Sequence, residues 1–105
     1  MKILLDECLP VRFRHDLPQH EVHSTEYAGF KGLENGTLLS AAESAGYEVF
    51  LTNDLGLRYQ QNMAGRRIAI VVTRSRSNSL QDLRRTVDAI LAAVARVQPG
   101  QIESA

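Results

Sequence analysis

Cysteine is nearly missing from this chain. Cys8 is the single one among 105 residues, which excludes a disulfide framework and a cysteine-based zinc site. Excess charge is missing as well: 12 Lys and Arg balance 12 Asp and Glu. A grossly basic coat for nucleic acid is thereby excluded, though a local patch is not. No apolar run is long enough to span a bilayer. The opening MKILLDECLP meets acid at Asp6, which fits neither a signal peptide nor a membrane anchor. A cytoplasmic protein with a reduced thiol and no membrane partner is expected. Repeats, low-complexity tracts and linkers are also missing. One domain over residues 1–105 is therefore expected, with about 98–105 as a flexible tail.

What is present is an ordinary globular composition, 44% hydrophobic and 23% charged, which argues against disorder. The charges are unevenly placed. Residues 1–57 hold nine acids against four bases, a balance of −5. Residues 58–105 hold eight bases, all arginine, against Asp82, Asp88 and Glu103, a balance of +5. Such asymmetry points to a polyanion or a metal as partner. Arginine suits phosphate because its planar fork bonds in pairs. Solvated faces of a folded domain would show the same residues.

Strands and helices alternate along the chain. Lys2–Leu5 is a short apolar run that ends in Asp6-Glu7. Pro10 opens a helical stretch, Val11–Leu17, closed by Pro18. Glu21–Thr25 alternates as a second strand, and the glycine-rich stretch from Tyr27 to Gly36 reads as a loop. Asn35 is placed to cap a helix over Thr37–Ala45, stopped by Gly46. Tyr47–Thr52 is a third strand, ending at Asn53-Asp54. A short helix is expected over Leu57–Met63, then the strongest strand, Arg67–Thr73. Its continuous apolarity suits a central parallel strand covered on both faces. Ser79 with Asp82 resembles a capping box, and a helix of regular spacing follows to about Val97. The order implies an α/β fold with a mainly parallel sheet. The Leu80–Val94 stripe is simplest as core; any surplus would be the seam of a homodimer.

Chemistry is expected at the strand ends, where open α/β sheets bind ligands. Two strands end in acid, at Asp6-Glu7 and at Asp54. Were these strands neighbours, the two aspartates would converge and repel. A divalent cation relieves that repulsion, and Mg²⁺ and Mn²⁺ prefer such oxygen ligands. Asp6 and Asp54 are thus the candidate metal pair. Thr52, Asn53 and Asn35 are candidate neutral oxygen donors. A competing reading makes both aspartates helix caps, each stabilising by about 0.5–2 kcal/mol.

Together these segments resemble the small stand-alone PIN-like proteins, predicted nucleases of the VapC-like toxin–antitoxin type. The matching residues are MKILLDECLP, His20-Glu21-Val22-His23-Ser24-Thr25, Glu34-Asn35-Gly36-Thr37-Leu38-Leu39 with Ala41-Ala42, and Leu51-Thr52-Asn53-Asp54. They run in order from Met1 to about Val72. Leu57-Arg58-Tyr59-Gln60-Gln61-Asn62 resembles one subgroup. The resemblance implies a PIN-like three-layer α/β/α sandwich, a Mg²⁺- or Mn²⁺-dependent endoribonuclease acting on RNA, and an antitoxin partner. It makes Asp6 the first metal-binding acid and Asp54 the acid after the later strand, with Glu7 beside the first. Asn35 stands where many relatives carry a further acid, and Asp54-Leu55-Gly56-Leu57 lacks the second acid that often follows.

In this scheme Asp6, Asp54, Glu7 and Asn35 form the catalytic set. Thr52, Asn53, Arg58, Tyr59, Gln60, Gln61 and Arg74 are the expected substrate contacts, through phosphate pairing, hydrogen bonds and stacking. Two rivals remain. One is a module of the same fold that has lost its activity and binds RNA or protein; Asn35 and the missing acid after Asp54 favour it. The other is a response-regulator-like phosphate site, which lacks a lysine after the last strand. His20 and His23, three apart on a strand, point to opposite faces and share no metal. Cys8 reads as a small buried thiol rather than a nucleophile.

Overall fold

A computed structural model of the chain describes residues 1–54, 56 and 62–105, and at Asn35 the backbone alone. Five strands form one sheet: β1 (Lys2–Leu5), β2 (Glu21–Ser24), β3 (Val49–Thr52), β4 (Ala69–Val72) and β5 (Ile102–Ser104). Their order is β2-β1-β3-β4-β5, and every pairing is parallel. The chain first moves outward from β1 to β2, then crosses back to β3 on the other side. The order therefore reverses between β1 and β3. Such a switch point opens a crevice at the carboxyl ends of the strands.

Helices cover both faces. On one face Ile3, Leu5, Val49, Leu51, Ala69 and Val71 pack with Leu9, Phe13, Leu17, Leu83, Ile90 and Val94. The facing elements are a 3-10 helix (Val11–Asp16) and two helices that follow β4, here α3 (Leu80–Arg84) and α4 (Val87–Arg96). On the other face Leu4, Phe50, Ile70 and Val72 pack with Leu38, Leu39 and Ala42 of α2 (Asn35–Ser44). Alternate residues of each strand thus serve opposite layers, as the pleat demands. Continuous apolar strands are the expected result, and β3 and β4 are buried at every position. Burial of this kind contributes about 25 cal/mol per Å² of apolar surface, the main term that holds the layers together.

Local chemistry sets the ends. Ser24 caps α1 (Thr25–Ala28) by accepting from the Tyr27 amide at 3.0 Å, so Thr25 opens a helix instead of ending β2. Gly29, with φ +82°, closes it. Glu34, not Asn35, occupies the cap position of α2, and it makes no side-chain cap bond. The helix expected up to Val97 is broken in two. Thr86 turns its hydroxyl onto the Leu83 carbonyl at 2.8 Å, a local bond that competes with continuing the helix. The stripe expected as core is core: Leu83, Ile90, Ala93 and Val94 are buried, with Leu80, Val87 and Leu91 packed beside them.

The stretch 98–105, expected as a flexible tail, instead carries β5. Its register is Ile70 opposite Ile102 and Val72 opposite Ser104. The Arg96–Glu103 ion pair at 2.6 Å fastens it to α4. The short helix expected over Leu57–Met63 falls mostly on residues outside the described ones. Among the described residues no helix is long and apolar enough to cross a membrane.

Candidate functional site

The crevice between β1 and β3 is acidic. A cleft of about 410 Å³ is lined by Asp6, Glu7, Glu34 and Asp54, with Leu33, Leu38, Leu39 and Phe50 as its apolar part. Two strand ends and one helix start supply the acids. Asp6 follows β1, and its amide continues the ladder by donating to the Leu51 carbonyl at 2.9 Å. Asp54 stands two residues beyond β3. Glu34 precedes α2, whose first amides favour negative charge.

Thr52 ties the two aspartates together. Its hydroxyl donates to Asp6 Oδ2 at 2.6 Å and accepts from the Asp54 amide at 3.0 Å. Asp6 Oδ1 accepts from the Glu7 amide at 2.7 Å. Glu7 Oε1 in turn accepts from the Gly32 amide at 2.9 Å and so pins the loop that leads to Glu34. Asp54 Oδ1 accepts from the Gly56 amide at 2.9 Å, a local bond to the amide two residues on.

The structure thus gathers Asp6, Glu7, Thr52 and Asp54 around one cleft. Asn53 faces β4 instead: its carbonyl oxygen accepts from the Thr73 hydroxyl and its amide group donates to Asn78. Both polar ends are engaged within the protein. Arg74 is exposed just past β4, makes no ion pair among the described residues, and is not among the residues that line the cleft. The Asn35 side chain and all of Arg58, Tyr59, Gln60 and Gln61 lie outside the described residues. Glu34 is the acid that the sequence reading passed over. Its signal was present, an acid one residue before Asn35 at a helix start.

Cys8 borders this region, with Sγ 3.9 Å from the Thr52 hydroxyl. Burial, with the neighbouring Asp6 charge, pushes its thiol pKa up, against the lowering effect of the Asn53 backbone bond. A thiol held protonated is a poor nucleophile. The histidines are separate: His23 bonds the Tyr47 hydroxyl at 2.8 Å, while His20 meets the Met1 amino group at 3.1 Å. His20 precedes β2 rather than lying on it. A phosphate-acceptor site of the response-regulator kind would want a lysine nearby, and the chain has none after Lys31.

The donor set at the cleft is all oxygen, which suits Mg²⁺ or Mn²⁺ rather than zinc or copper. Among the described residues no three His, Cys, Asp or Glu side chains converge closely enough to enclose a metal ion. Asp6 and Asp54 offer two carboxylates at most, and Mg²⁺ is an ion commonly held by one or two carboxylates with water completing its shell. Each carboxylate of the aspartate pair accepts protein hydrogen bonds yet retains lone pairs for a further partner.

No family model matches the chain, and neither curated proteins nor solved structures gave a match.

Proposed function

We propose that this chain is a divalent-cation-dependent ribonuclease of the PIN-like type, the toxin of a toxin–antitoxin pair. One observation carries the reading. Four carboxylates line a cleft at the switch point of a parallel sheet, and among the described residues no basic side chain lines it. A cleft whose charged side chains, among the described residues, are all carboxylates favours a cation over an anion. Asp6 and Asp54 are the residues that would hold Mg²⁺ or Mn²⁺. When bound, the ion supplies charge neutralisation for a phosphodiester and an acidified water. Thr52 fixes the Asp6 carboxylate, and Glu7 holds the loop that carries Glu34. The antitoxin belongs to the same proposal, as a protein that covers the cleft.

The test is a calorimetric Mn²⁺ titration of metal-stripped protein beside Asp6→Asn and Asp54→Asn, followed by RNA cleavage assays. Saturable binding lost in both variants is expected, with cleavage abolished in Asp54→Asn while its circular dichroism is unchanged. Unchanged cleavage in Asp54→Asn would sink the assignment. A second reading, a non-catalytic RNA- or protein-binding module, is favoured by the lack of three converging ligands among the described residues. RNA binding that persists fully in EDTA, with no cleavage at any Mn²⁺ concentration, would select it.

A further inference from the structure

The acidic cleft is the first of three hollows set side by side at the carboxyl edge of the sheet. It shares Asp6 and Glu7 with a second hollow of about 230 Å³. Leu9, Val11, Thr25, Glu26 and Lys31 line that second hollow. It shares Val11 and Ser24 with a third of about 170 Å³, completed by Arg14, His23 and Tyr27. The line leads from β1 outward past β2, away from Arg74 at the end of β4.

The chemistry changes along the line. Among the described residues the polar side chains of the first hollow are all carboxylates. The second adds the Lys31 ammonium and an apolar wall from Leu9 and Val11. It also presents the Thr25 hydroxyl. Thr25 as a whole is only 2% exposed and lines this hollow, and its hydroxyl is not among the sealed, unpartnered polar atoms of the described residues. The third hollow adds the Arg14 guanidinium and an exposed aromatic ring. Tyr27 is 74% exposed, and its ring rests on His23 with centroids 4.4 Å apart. The Tyr47 hydroxyl holds His23 in place at 2.8 Å.

We infer that this line is the path of a single-stranded RNA, with one base seated in the Thr25 hollow and the next stacked on Tyr27. The inference rests on the ribonuclease reading of the acidic cleft. An open aromatic ring accepts any unstacked base, whereas the bases of a duplex present no face to it. The Thr25 hydroxyl can both donate to and accept from a base edge. The Glu26 carboxylate accepts from ring or exocyclic N–H groups. Glu7 and Glu26 repel phosphate, which leaves the backbone to the side held by Lys31 and Arg14.

Fluorescence anisotropy in EDTA, with short single-stranded RNA homopolymers, separates binding from cleavage. Tyr27→Ala should weaken binding about tenfold. Its ring is exposed and its cap bond uses the backbone amide, so the variant should fold. Arg14→Ala and Lys31→Ala should each lower the slope of log affinity against log salt by about 0.7. Thr25→Val, which keeps the shape and removes the hydroxyl, should narrow the differences in affinity among homopolymers. A perfect RNA duplex should not compete. Wild-type binding that survives all four substitutions and is lost in Arg74→Ala overturns the path and leaves the ribonuclease reading standing. Failure of the wild type to bind any single strand, with or without Mn²⁺, overturns both.

Discussion

The Thr52 hydroxyl donates to the Asp6 carboxylate at 2.6 Å across two neighbouring strands. The same oxygen accepts from the Asp54 amide at 3.0 Å, so one side chain sets both candidate metal ligands. Thr52 is fully buried. Thr52→Val would keep its shape, deprive Asp6 of a donor and leave the Asp54 amide without its acceptor. A loss of about 1–3 kcal/mol is expected from urea denaturation. Thr52→Ser restores the hydroxyl and should recover most of that loss. If Thr52→Val unfolds at the wild-type midpoint, the hydroxyl does not hold the two strand ends together.

Glu34 makes a prediction of opposite sign for stability and for binding. It is exposed, caps nothing with its side chain, and shares the cleft with three other acids. Removing its charge relieves repulsion in the metal-free protein. Glu34→Gln should therefore leave stability within about 0.5 kcal/mol of wild type, or raise it slightly. Mn²⁺ affinity should fall roughly tenfold, since fewer charged groups mean weaker binding. Thermal melts and calorimetry on one sample read both quantities. A variant that binds Mn²⁺ like wild type would exclude Glu34 from the site.

The sequence showed Glu34 less clearly than Asp6 or Asp54, for a physical reason. Strand ends are marked sharply, because an apolar run stops where charge begins. Helix starts are marked only to within a residue or two, and the neighbouring Asn35 is the more usual capping residue. Three strands were legible for the same cause: β1, β3 and β4 are runs of buried apolar residues, whereas β2 showed only through alternation, with Val22 its one buried residue. The fifth strand was not, since Ile102-Glu103-Ser104 offers one apolar residue, and all three are only partly buried. It forms because a glycine turn and the Arg96–Glu103 pair deliver it to the edge of β4. The break between α3 and α4 was equally hidden, because the apolar spacing runs straight through it. At the break the Arg85 and Thr86 amides donate to carbonyls three residues back, and the Thr86 hydroxyl adds its bond to Leu83. The chemistry of Thr25 depends on tertiary burial, which no local pattern displays.

Glu43 predicts a pH dependence. Burial alone pushes its carboxyl up. Against that, Oε2 accepts from the Arg67 amide at 2.6 Å and the Ile68 amide at 3.4 Å, and Oε1 pairs with Arg66 at 2.7 Å. Together these hold its pKa below the ordinary value of 4.5. A carboxyl lowered by folding contributes its full stability above its unfolded value and loses it as pH falls through the lowered one. Wild-type protein should therefore lose stability on acidification more steeply than Glu43→Gln. At neutral pH the variant should already be the weaker of the two. Chemical denaturation from neutral pH down through the carboxylate range tests both statements. Parallel slopes for the two proteins would mean that Glu43 is not held in its charged form by these bonds.

Gly100 controls whether the last strand joins the sheet. Its φ is +80°, and a Cβ there would lie 2.7 Å from the Arg66 carbonyl oxygen. Its amide donates to the Ile68 carbonyl at 3.1 Å, and the Gln101 carbonyl then accepts from the Ile70 amide at 2.9 Å. Gly32 has a similar φ of +87° but nothing within 4 Å of the added carbon. Gly32→Ala should thus cost only the left-handed strain, about 1–2 kcal/mol. Gly100→Ala carries the same strain plus a clash with backbone that cannot swing aside, so its cost should be clearly larger. Loss of β5 would also bare the edge of β4, where Ile70, Val71 and Val72 are buried. Unpaired apolar edges invite pairing between molecules. Gly100→Ala, and more so deletion of residues 98–105, should therefore elute as larger species in size-exclusion chromatography while Gly32→Ala stays with wild type. Equal destabilisation by the two alanines, with no change in elution, would show that the strand does not depend on this turn.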